Sequence, residues 1–140
     1  MQIASCELRV ANHVILCAGS RSASFVIDLK HRTKRFALDV VRLCSVLPPR
    51  VEVQIISRQL IRAATSVAAN YRSACRGKSK ADFISKLATV EEEADESSFW
   101  LELLQELSVS DKPELPRLID EAGQLVAIMV SSKKTARSRD

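Results

Sequence analysis

Ala69-Asn70-Tyr71-Arg72-Ser73-Ala74-Cys75-Arg76-Gly77-Lys78-Ser79-Lys80-Ala81-Asp82-Phe83-Ile84-Ser85-Lys86-Leu87 is the stretch whose reading decides the fold. A small-residue helical pattern runs into it, a glycine interrupts it, and a second apolar pattern leaves it. Gly77 fits the residue after a helix end, where a left-handed backbone costs glycine little. Ser79 and Asp82 have the spacing of a capping box, with aspartate replacing the usual Glu or Gln. The stretch is therefore a helix-turn-helix corner that also carries five cations: Arg72, Arg76, Lys78, Lys80 and Lys86.

Working outward, the preceding helix is predicted over about 51–76, with Val53, Ile56, Leu60, Ala63, Val67, Tyr71 and Ala74 on one seam. Ala63, Ala64, Ser66, Ala68 and Ala69 leave room for a close neighbour. The following helix is predicted over about 79–107, with Phe83, Leu87, Val90, Ala94, Leu101 and Leu104 facing inward. Before the corner, Asp28 caps an amphipathic helix over about 28–47, built on Leu29, Thr33, Phe36, Val40, Leu43 and Leu47 and ended by Pro48-Pro49. After it, a helix over about 113–131 places Leu118, Ala122, Leu125 and Met129 inward. Four helices with short connections predict an all-α, antiparallel up-down-up-down four-helix bundle. Residues 1–24 lack a sustained period and read as an extension outside the domain. Residues 131–140, with Lys133, Lys134, Arg137 and Arg139, read as a basic disordered tail.

The composition agrees. The 140 residues suffice for one core, and only three glycines and four prolines interrupt them. Cys6, Cys17, Cys44 and Cys75 show no metal or disulfide spacing and read as free thiols of a reducing cytoplasm. No apolar run reaches the roughly 18–20 residues of a membrane span, so no membrane association is expected. The segment Val10–Ala18 is short and lacks a basic leader, which argues against a signal peptide.

Charge is strongly segregated. Residues 28–86 hold 13 Lys/Arg against 4 Asp/Glu, whereas residues 87–124 hold 2 against 11. Lys30, Lys34, Arg35, Arg42, Arg76, Lys78 and Lys80 are the candidate phosphate-binding residues, with a solvated surface as the alternative. Aromatics are not interleaved with them, so binding would follow the nucleic-acid backbone rather than its sequence. Glu92, Asp95 and Glu96 share a helical face, but no Glu-x-x-His motif accompanies them, and His13 and His31 lie elsewhere. No metal and no cofactor are expected. Ion pairs with Arg58, Arg62 or Arg72 across a helix interface are the expected use of those carboxylates. Cys44 and Cys75 fall on or beside apolar faces and read as packing groups. Phe99 and Trp100 read as core or subunit contacts, and Asn70 as a local bend or a cross-bundle bond. No catalytic constellation is present.

Asp28-Leu29-Lys30, Ser66 to Arg72, Ala81 to Leu87, Glu93-Ala94-Asp95-Glu96 and Trp100 to Leu104 resemble, in order, the bacterial four-helix proteins of 23S rRNA intervening sequences. The resemblance spans roughly Phe25 to Val130. It implies a homopentameric ring without known enzymatic activity. It also implies kinship with the accessory variability determinant of diversity-generating retroelements, a basic pentamer that works with a reverse transcriptase and nucleic acid. RNA or DNA, a reverse transcriptase or another protein, and copies of itself are thus the expected partners. A protein-interaction scaffold or accessory subunit that binds no nucleic acid is the alternative.

Overall fold

The computed structural model describes residues 28–138. The expected extension over residues 1–24, with Cys6, His13 and Cys17, lies outside the described residues, as does Arg139. Four helices follow one another: α1 (Leu29–Ser45), α2 (Val51–Ala74), α3 (Lys80–Glu106) and α4 (Glu114–Ser138). No strand occurs among the described residues.

Each start has a local cause. The Asp28 carboxylate accepts from the backbone N–H of Lys30 and His31 at 3.0 and 3.2 Å, satisfying two free donors of the first turn of α1. Ser79 Oγ accepts from Asp82 N–H at 3.1 Å, as the capping box requires. Its reciprocal bond shifts by one residue: Asp82 accepts from Lys78 N–H at 3.0 Å rather than from Ser79. α2 starts after Pro48-Pro49 with no side-chain cap at Arg50.

The core is the expected seam. Leu60, Ala63, Ala64 and Val67 of α2, Leu87, Val90, Ala94, Leu101 and Leu104 of α3, and Leu118, Ala122, Leu125 and Met129 of α4 are fully enclosed. Phe36 and Val40 close it from α1. Burying each such large side chain contributes about 1.5–3 kcal/mol, so the seam outweighs any single cap. α2 packs most extensively on α3, and α3 on α4. α1 lies against α2 and touches α4 far less. This packing is compatible with a four-helix bundle.

Two expectations need correction. Residues 131–138 of the expected disordered tail are helical, because α4 continues to Ser138. Ser132 and Ala136 extend the buried stripe of Leu118, Ala122, Leu125 and Met129 at the same three- and four-residue steps. Lys133 is anchored to Glu91 at 2.6 Å. Gly77, in turn, has no left-handed backbone. The end of α2 tightens instead, with Arg76 N–H on Ser73 O at 3.0 Å and Gly77 N–H on Ala74 O at 2.9 Å. Glycine is needed for space: a Cβ there would meet Ala74 O at 3.1 Å and Phe83 N at 3.3 Å.

Candidate nucleic-acid interface

The seven cations singled out in the sequence separate into three groups. Lys30 and Lys34 lie on the α2 side of α1. With Asp28, His31 and Arg72 they edge a groove of about 630 Å³ whose floor is Ala37, Leu38, Val41, Ala68 and Ala69. Arg35 and Arg42 lie on the opposite, α4 side of α1, and Arg76, Lys78 and Lys80 at the α2–α3 corner. One helix thus divides the first four cations between two clefts.

The α4 side carries the polar cross-links of α1. Arg32 donates from Nε to Glu121 Oε1 at 2.7 Å and from Nη2 to Glu121 Oε2 at 2.9 Å. Arg32 Nη2 also reaches Gln124 Oε1 at 2.6 Å. Its hydrogen bond to Glu121 holds the guanidinium pKa above the usual arginine value, against the opposing effect of partial burial. Two turns further on, Asp39 is shared: Arg117 of α4 donates to it at 2.9 Å and Arg42 at 3.3 Å. Around that carboxylate a cleft of about 590 Å³ is lined by Arg35, Asp39, Arg42, Leu43, Val46, Lys112, Glu114 and Arg117. Four cations face two carboxylates there. Arg35 and Lys112 have no ion pair among the described residues and supply its surplus charge. Lys112 and Arg117 escaped the sequence reading because the stretch around them is acidic. Only the fold brings them to α1.

At the corner, Arg76, Lys78 and Lys80 are exposed. Asp82 lies among them, and the hydrogen bond from Lys86 at 2.7 Å holds its carboxyl below the usual carboxylate range, helped by Lys78 N–H. The corner is thus cationic but partly compensated by its own cap.

The expected ion pairs form only in part. Arg62 approaches Glu96 across the α2–α3 interface at 3.8 Å, with Arg62 largely in solvent. Such an exposed pair stabilises little. Arg58 lines a separate depression beside Cys44, Pro48 and Pro49, and Arg72 edges the α1–α2 groove instead of meeting α3. Glu92 and Asp95 are exposed. No group of three metal-capable side chains occurs among the described residues. Asn70 makes the local one of its two expected contacts, donating to Ser66 O and Oγ, both at 2.9 Å. Burial pushes the Cys44 and Cys75 thiols up, and Tyr71 likewise, so none is poised to ionise near neutrality. No helix among the described residues is long and apolar enough to cross a membrane.

Four long helices around one apolar seam, with cations gathered in a polar cleft and at a corner, define an all-α bundle domain with charged surface sites. The chain belongs to the 23S rRNA-intervening sequence protein family, whose sequence model matches residues 27–131. A crystal structure of a protein of unknown function from the S23 ribosomal protein family of Bacteroides thetaiotaomicron is similar to it. The identity is 30% over 74% of this chain and 95% of that one, with a TM-score of 0.68. No curated protein matches the chain.

Proposed function

We propose that this is a non-enzymatic, cytoplasmic bundle protein that binds the phosphate backbone of RNA or DNA without sequence preference. The observation that carries this reading is the cleft lined by Arg35 and Arg42 of α1, Lys112 of the loop before α4 and Arg117 of α4, together with Asp39 and Glu114. Asp39 holds Arg42 and Arg117 in place, and Arg35 and Lys112, without an ion pair among the described residues, leave surplus positive charge beside them for phosphates. Arg76, Lys78 and Lys80 add a second contact.

The helices run up-down-up-down in this reading. Arg32 with Glu121 and Asp39 with Arg117 pair advancing positions of α1 with receding positions of α4, which supports that order. The domain assembles into a homopentameric ring, as expected from the resemblance, and serves as an accessory to a reverse transcriptase or another protein. A ring repeats each modest cation group around an axis, and affinity for a polyanion grows with every phosphate neutralised.

Titration of fluorescently labelled single-stranded RNA at increasing salt tests the reading. Affinity falls linearly in log–log form, with a slope of about −0.7 per neutralised phosphate. The pair Arg35→Ala and Lys112→Ala lowers that slope by about 1–1.5 if each contacts one phosphate. RNA affinity that is absent at low salt, or indifferent to salt, defeats the proposal.

A further inference from the structure

The α1–α2 groove differs from the phosphate cleft in its floor. Leu38 and Val41 remain 44% and 39% exposed there, beside Ala37, Ala68 and Ala69. A hydrated phosphate gains nothing from such a floor, whereas an apolar side chain flanked by carboxylates fits both floor and rim. Lys30, His31, Lys34 and Arg72 edge it, with Asp28 at the end where the chain enters α1.

The complementary feature is on α3. Phe99 is 50% exposed, the one exposed large hydrophobic side chain within α3. Its ring stacks edge-on against Trp100 with centroids 4.9 Å apart, and Trp100 Nε1 donates to Glu96 at 3.0 Å, so the aromatic pair is held rather than free. Around it the outer face of α3 carries the exposed carboxylates Glu92, Asp95 and Glu102. A base-stacking role is disfavoured by those carboxylates, which repel phosphates. α3 makes no substantial contact with α1, so Phe99 and the groove are separate surfaces of the chain.

We propose that the groove of one copy receives Phe99 of the next, with the acidic surround of the aromatic side chain against the cationic rim. The two patches are different surfaces of one chain, so the contact is heterologous and repeats head to tail until a rotation closes it. It deepens the ring reading above and rests on self-assembly. Aromatic anchors in apolar pockets are where interface energy concentrates, and opposite rim charges set register and rate.

Sedimentation analysis of the full chain and two variants tests it. Phe99→Glu removes the anchor and Leu38→Glu spoils the floor; both positions are exposed, and circular dichroism checks that helicity persists. Each variant alone is expected to sediment as a monomer, with self-association weakened about 30-fold or more. An equimolar mixture is expected to form dimers, since one intact aromatic anchor then meets one intact groove. Unchanged assembly of Phe99→Glu, or a mixture that stays monomeric, overturns this contact while leaving the ring reading standing. A monomeric unsubstituted chain overturns both. Assembly that responds to removal of residues 1–27 but not to Phe99→Glu assigns the groove to the chain's own leading segment and also overturns the proposal.

Discussion

The two sides of α1 are finished in opposite ways. Toward α4, where apolar contact is thin, the helix is cross-linked by Arg32, Glu121 and Gln124 and by Asp39 with Arg117. Toward α2, where packing is extensive, Lys30, Lys34, Leu38 and Val41 remain exposed and line a groove. Polar cross-links set position where the core does not reach. Where the core already fixes the helix, the surface is released for partners.

The sharpest way to break this comparison is to remove a cross-link. Glu121→Ala leaves Arg32 with Gln124 alone, and because the pair is about four-fifths shielded its loss exceeds that of an ordinary surface pair. Stability to urea is expected to fall by about 1 kcal/mol, with the midpoint moving and the slope unchanged. A loss below about 0.3 kcal/mol would mean that the thin apolar contact positions α1 unaided.

A second change, away from both sides, separates what the sequence displayed from what it concealed. The apolar periods displayed the four helices and nearly every core residue, and Ser132 and Ala136 carried the same period into the segment that reads as a tail. Their small side chains hid it, because Ser132 is polar and Ala136 offers only a methyl group. The left-handed residue was hidden too. It is Ser108, at φ 50°, where the end of α3 closes with Ser108 N–H on Gln105 O at 2.9 Å and Val109 N–H on Leu104 O at 3.4 Å. Sequence reasoning sought it at Gly77, where glycine answers crowding. Ser108→Gly relieves a backbone strain of about 1 kcal/mol but adds unfolded-state freedom, for a net gain of about 0.5 kcal/mol. A loss of stability on that substitution would mean that Ser108 makes a compensating contact. Of the candidate site, local charge was legible. The convergence of Arg35 with Lys112 was not, since it depends on how α1 meets α4.

The smallest expected effect is the most discriminating. Lys34 sits on the groove rim with no ion pair among the described residues, and it is exposed. Replacing it with alanine removes no ion pair or side-chain hydrogen bond among the described residues and slightly favours the helix, so stability should change by less than about 0.3 kcal/mol. Self-association would confuse that measurement, because any assembly of folded chains raises apparent stability with concentration. Lys34→Ala is therefore best compared in the Phe99→Glu background, where urea midpoints report the single chain. Without Phe99→Glu, the same substitution is expected to weaken self-association by a few-fold, more at low salt than at high, because a rim charge acts through long-range attraction. A destabilisation of about 1 kcal/mol in the monomeric background would show that the groove rim supports the fold, and the contrast between the two sides of α1 would disappear.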